Sequence, residues 1–259
     1  MQCKNCDYPL ETTHKFCANC GAKIIHNRLT LKILWKDFSK RFLNYDNTLL
    51  KTVRGMFSKP EVVIDSFIQG TRKKYLNPIN FFLISLAITG LYNFLYKTFL
   101  LEETIAFYEN AFKGFYQNDL ASESSMKGFY FFMEYFNLFA FLSIPVNALV
   151  TKIAFLNYKK YNYTEHIVLN LYTISQYQLV VYSLFIPLLF LSIEVQNILS
   201  LLSIASLFFY FFYVLTRVFK LNTKQLFTKA FIIFTITSVV FLLLLILAII
   251  IGVLYKVYM

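Results

Sequence analysis

Phe231-Ile232-Ile233-Phe234-Thr235-Ile236-Thr237-Ser238-Val239-Val240-Phe241-Leu242-Leu243-Leu244-Leu245-Ile246-Leu247-Ala248-Ile249-Ile250-Ile251 runs from end to end without an ionisable side chain. At about 1.5 Å of rise per helical residue, about 20 such residues cross the roughly 30 Å hydrocarbon layer of a bilayer. Outward from this stretch, long apolar runs recur at about 79–100, 129–151, 167–192, 197–216 and 230–255. A soluble core cannot hide five of them. Composition agrees, with 58% of residues apolar and only 15% charged. The expected fold is an all-α integral membrane protein. About five transmembrane helices form a bundle over 78–259, preceded by amphipathic cytoplasmic helices and a small N-terminal zinc ribbon.

The charges between the runs set their direction. Residues 1–78 carry 14 Lys/Arg, 152–166 carries Lys152, Lys159 and Lys160, and 217–229 carries Arg217, Lys220, Lys224 and Lys229. The loop expected at 101–128 is acidic, with Glu102, Glu103, Glu109, Asp119 and Glu123 against Lys113 and Lys127, and the 193–196 turn has Glu194 alone. Under the positive-inside rule the N-terminus is expected in the cytoplasm and Tyr255–Met259 outside. The first residues lack the basic-then-apolar pattern of a cleavable signal peptide. The third run is polar in its first half, so it reads either as a full span or as one that begins as an interfacial helix. Pro145 and Pro187 predict kinks in the second and third spans.

Residues 29–77 read as amphipathic helices at the membrane entrance. Leu31, Leu34, Trp35, Phe38, Phe42 and Tyr45 have helical spacing, with Lys32, Lys36, Lys40 and Arg41 on the other face. Such a helix lies in the membrane interface or packs on the helices that follow. Thr48 is expected to cap a second helix through Phe57. Ser58-Lys59-Pro60-Glu61 is expected to form a capping box for a third, which Gly70 ends. Arg72, Lys73 and Lys74 then precede Asn77-Pro78, an N-cap and first helical residue for the first span. Three adjacent cations serve as a topology anchor or as an attraction for anionic lipid headgroups, at roughly 1 kcal/mol per charge. The +11 net charge is spread over these segments without a recognition motif, so nucleic acid is not an expected partner.

Residues 1–28 hold all four cysteines, as Cys3-Lys4-Asn5-Cys6 and Cys17-Ala18-Asn19-Cys20. Two C-x-x-C hooks supply four thiolates to one tetrahedral zinc at Zn–S distances of about 2.3 Å. Four thiolates leave no open position, so the expected zinc is structural. A segment this short has too little core to fold without metal. Gly21 suits the knuckle after the last ligand, and His14 and His26 read as solvated. Thiols kept for metal imply a reducing compartment, which agrees with the loop charges.

Within the membrane, His166, Asn170, Thr173 and Gln176 recur along one stripe of the third span, with Glu165 just before them. Glu134, Asn137, Ser143 and Asn147 on the second span are candidate partners. Such groups form either a polar cleft for substrate, ion or proton, or hydrogen bonds between helices worth about 0.6 kcal/mol each. No H-E-x-x-H zinc motif follows Glu165-His166, and no G-x-S-x-G turn occurs, so an intramembrane enzyme has no visible constellation.

Taken in order, the pieces resemble an uncharacterised bacterial family of zinc-ribbon-headed polytopic inner-membrane proteins, a domain of unknown function. The resemblance rests on the cysteine hooks, Arg28-Leu29-Thr30, Thr52-Val53-Arg54, Lys59-Pro60, Gly70-Thr71-Arg72-Lys73-Lys74-Tyr75-Leu76-Asn77-Pro78 and Asn162-Tyr163-Thr164-Glu165-His166-Ile167-Val168. This chain departs at Gly55, where an acidic residue is usual, and at Glu61, where glycine follows the proline. The resemblance implies architecture and a bacterial inner-membrane location, and no reaction. The expected function is non-catalytic, with the zinc ribbon binding a protein partner or organising a complex at the cytoplasmic face. The alternative is a small transporter or channel using the polar stripe. Aromatic-rich surfaces also leave room for a homo-oligomer.

Overall fold

A computed structural model describes residues 2–11, 13–24, 30–32, 48–112, 128, 130–131 and 133–258. Most of the helix expected from Leu31 to Tyr45 lies outside these residues. The chain divides into two compact units, Met1–Asn47 and Thr48–Met259. Among the described residues the first unit has isolated antiparallel bridges, and the second is entirely helical.

The second unit opens with a short helix pair, α1 (Thr48–Ser58) and α2 (Pro60–Ile68). They meet at Gly55, where a Cβ would lie 2.6 Å from Val63 Cγ2. Pro60 occupies the first turn, but the expected capping box is absent. The N-cap is Lys59 without a side-chain bond, and Ser58 Oγ turns back to Arg54 O at 2.9 Å. Glu61 instead pairs with Arg217. Gly70 ends α2 with φ +100°, Thr71 N–H reaching Ser66 O at 2.8 Å and Gly70 N–H reaching Phe67 O at 3.1 Å. This double bond pattern at the helix end needs the left-handed residue that glycine supplies.

Asn77 then caps α3 (Pro78–Phe99), its Oδ1 accepting Ile79 N–H at 2.9 Å, with Pro78 in the first turn as expected. The loop expected over 101–128 is corrected in its first half by α4 (Leu101–Phe112). Glu102 and Glu103 in its first turn favour the helix dipole, so their charge stabilises a helix rather than marking a loop. Then come α5 (Phe136–Ala154), α6 (Tyr163–Leu188), α7 (Ile193–Phe219) and α8 (Thr223–Tyr258). The fourth run begins earlier than expected, since the turn lies at 189–192 and Glu194 sits in the first turn of α7. Pro145 falls inside α5 and Pro187 at the end of α6.

Among the described residues four helices are long and apolar enough to cross a membrane: α3, α5, α7 and Thr223–Ile246 of α8. Their outer faces fit lipid, with Phe209 78% and Phe231 73% exposed. So large an exposed apolar surface would be anomalous in water. α6 matches them in length yet is more polar, and it is the central helix, packed against α1, α2, α3, α5 and α7. Protein surrounds its stretch from His166 to Gln178, so the polar side chains there are buried in protein rather than facing lipid. The main core, including Met56, Phe81, Phe155, Leu169, Tyr172, Leu215 and Phe219, gathers where α1 and α2 meet the ends of the long helices.

Candidate metal centre and polar core

The head is a repeat with a shift of 14 residues. Bridges join Gln2 to Pro9 and Phe16 to Lys23. Cys3 N–H bonds Tyr8 O at 2.9 Å and Asp7 N–H bonds Cys3 O at 2.8 Å, while Cys17 N–H bonds Ala22 O at 2.9 Å and Gly21 N–H bonds Cys17 O at 2.9 Å. Both knuckles turn through a left-handed residue, Asp7 at φ 56° and Gly21 at φ 69°. The hooks bring Cys3 Sγ within 3.7 Å of Cys20 Sγ and Cys6 Sγ within 3.6 Å of Cys17 Sγ. All four sulfurs lie within 4.8 Å of one another.

These distances test the fit of a metal. They far exceed the roughly 2.05 Å of a disulfide. They match the S···S edge of about 3.8 Å that four Zn–S bonds of about 2.3 Å make in a tetrahedron. The Asn5 side chain and the Ala22 backbone pull the Cys20 thiol down to about 6. The Tyr8 backbone pulls Cys6 down, but desolvation and the neighbouring sulfurs outweigh it and push that thiol up to about 11. Four thiolates this close need a cation among them. Asn19 Nδ2 lies 3.8 Å from Cys6 Sγ while Asn5 acts on Cys20, so each hook's asparagine reaches across to the other hook's last cysteine. Sequence reasoning passed over this pair, although C-x-N-C occurs twice.

The polar stripe is brought together only in part. Thr151 Oγ1 on α5 donates to Asn147 O at 2.9 Å, so it accepts from Asn170 Nδ2 and from His166 Nδ1, each at 3.0 Å. This assigns His166 the Nδ1–H tautomer. Gln176 lies on another side of α6 and donates to Val53 O of α1 at 3.2 Å. Among the described residues Thr173 bonds only Leu169 O of its own helix, at 2.8 Å. Glu165 stands apart. Its carboxylate accepts Asn162 N–H at 2.7 Å and Asn162 Oδ1 accepts Glu165 N–H at 2.9 Å, a capping box at the start of α6. His166 Nε2, Asn170 Oδ1 and Gln176 Oε1 have no partner among the described residues.

The cations gather at the α1–α2 end. Arg217 of α7 forks onto Glu61, Nη2 to Oε1 at 2.6 Å and Nε to Oε2 at 3.1 Å. Lys160 Nζ meets Asp65 Oδ2 at 3.1 Å, and the Tyr161 hydroxyl donates to the other oxygen of Asp65. Lys229 Nζ holds Ala154 O at 2.5 Å and Asn157 Oδ1 at 2.6 Å. Arg72 donates to Phe67 O and sits 4.2 Å over the Phe67 ring, and Lys74 lies 5.3 Å from the Tyr75 ring. Lys73 is exposed.

Residues 46–90 match the model of a family described as a protein of unknown function (DUF3667). The matched stretch takes in α1, α2, the Arg72–Lys74 cations and the first half of α3. No curated protein and no solved structure matches the chain.

Proposed function

We propose that the chain is a five-crossing membrane protein whose N-terminal head binds a structural zinc ion and docks a protein partner at the cytoplasmic face. One observation carries the reading: four sulfurs at tetrahedral spacing on a closed, two-hook scaffold with no fifth ligand position. Such a site holds shape rather than doing chemistry. The crossing count is supported by α6. Its start meets the end of α5 through His166 and Thr151, and its far end turns into α7, whose own end returns to Glu61. The basic residues Lys152, Lys160, Arg217 and Lys229 share that end, which under the positive-inside rule is cytoplasmic. By resemblance the membrane is a bacterial inner membrane.

The stripe on α6 fits helix packing better than a transport path, because His166, Asn170 and Gln176 all bond neighbouring helices. The test compares the full chain with a variant carrying Cys3→Ser, Cys6→Ser, Cys17→Ser and Cys20→Ser, crosslinked in intact membranes before purification. We expect one zinc per wild-type chain. The variant should still insert but lose both the zinc and a crosslinked cytoplasmic protein. A variant that keeps every crosslinked protein overturns the docking role, and a zinc-free wild type overturns the metal.

A further inference from the structure

At the end of the bundle away from Lys152, Lys160 and Arg217, α3, α4, α5, α6 and α7 enclose a partly open cavity of about 270 Å³. Its size lies just under the roughly 300–1,000 Å³ of sites for drug-sized ligands, enough for about one ring. No lining side chain is charged. An anionic occupant would lose its hydration with no cation opposite it, so the occupant is not an anion.

The walls are aromatic. The Tyr92 ring lies 5.0 Å from that of Tyr182, 5.9 Å from Tyr96 and 6.1 Å from Phe185. Most polar groups around them are already engaged. Tyr96 Oη lies 2.9 Å from Thr104 Oγ1, the Tyr177 hydroxyl donates to Ser203 O, and Gln196 Nε2 donates to Leu189 O at 2.9 Å. The Tyr92 and Tyr182 hydroxyls and the Asn93 amide make no hydrogen bond to any described residue. Among the described residues these three groups are unengaged, beside ring faces that pack a flat apolar surface. A hexose has more hydroxyls than these groups can satisfy, and each one left buried and unpaired weakens binding.

We propose that this cavity binds an uncharged six-membered ring bearing one to three hydroxyl or carbonyl oxygens. The ring packs against the cavity-facing side of the Tyr92–Tyr182 pair, and its oxygens meet the two hydroxyls and the Asn93 amide. This chemistry comes from two sources, the headgroup of a membrane quinone or a water-soluble phenol. The site is independent of the metal head.

The test titrates the full-length protein in nanodiscs with decylubiquinone and with p-cresol, read by saturation-transfer NMR against empty nanodiscs. Saturable binding of either probe supports the site. Decylubiquinone alone assigns a membrane source, and p-cresol binding shows access from water. Tyr92→Phe, Tyr182→Phe and Asn93→Leu should each weaken binding about five- to tenfold, as loss of one hydrogen bond does. The two Tyr→Phe variants remove hydroxyls that bond no described residue, so their unfolding temperatures should not fall. The proposal is overturned if neither probe saturates, if the variants bind as the wild type does, or if glucose or tetramethylammonium displaces a bound probe.

Discussion

Thr52 joins two segments through one hydroxyl. Its fully buried Oγ1 donates to Thr48 O at 2.6 Å and accepts Leu76 N–H at 2.8 Å. Thr52→Val keeps the shape but strands the Leu76 amide, at a cost of about 1–3 kcal/mol. Thermal unfolding in detergent should show that loss, and Thr52→Ser should restore most of it. Glu61 adds a pH dependence. Burial opposes its charge, but the Arg217 guanidinium wins and holds the carboxyl below its ordinary value of 4.5. A carboxyl depressed in the folded state contributes fully above that value, and the contribution is lost as pH falls through the lowered one. Arg217 is exposed, so solvent screens the pair and the contribution is small. Glu61→Gln should therefore lower the unfolding temperature at neutral pH and flatten its decline below pH 4.5. An unchanged acid-side slope in the variant would remove Glu61 as its source. The cysteine cluster was legible because its spacing is local, and so was the Asn162–Glu165 capping box, which the polar-cleft reading overlooked. The partner of Glu61 lies 156 residues away, and nothing local announces so distant a contact.

Among the elements, the α1–α2 pair depends on close approach. A methyl added at Gly55 would meet the buried Val63 side chain at 2.6 Å, forcing the helices apart. Overpacking of this kind costs about 1–3 kcal/mol. Gly55→Ala should lower the unfolding temperature accordingly, and adding Val63→Ala should relieve much of the strain. If the double variant is no better than the sum of the singles, the two side chains do not collide. Apolar runs found α3, α5, α7 and α8 because lipid contact demands hydrophobicity along a whole face, although the expected starts at 129 and 230 miss those of α5 at Phe136 and α8 at Thr223. α4 went unread because its two leading glutamates serve equally as loop charge or as helix N-terminal charge. Its bond to α3, between Tyr96 and Thr104, exists only in three dimensions.

At the scale of the molecule, the head and the bundle are separate compact units, so metal removal should affect one and spare the other. Chelation of the purified full chain should release zinc and make the four cysteines reactive to a thiol reagent, while the main helical unfolding transition stays in place. Coincident loss of both would show that the bundle relies on the metal.

The position of α6 bears on how the chain is made. It is the most interior long helix and, unlike the other four, falls short of the apolarity that spans carry. Amide groups such as those of Asn170, Gln176 and Gln178 along the helix raise the free energy of entry into lipid from the translocon. On the five-crossing reading, α6 cannot settle in the bilayer by itself during synthesis. Its entry should then depend on α3 and α5, whose Ser85 and Thr151 bond its Gln178 and Asn170 in the folded bundle. Membrane assembly of this protein is then ordered by side-chain pairing as much as by the sequence of translation.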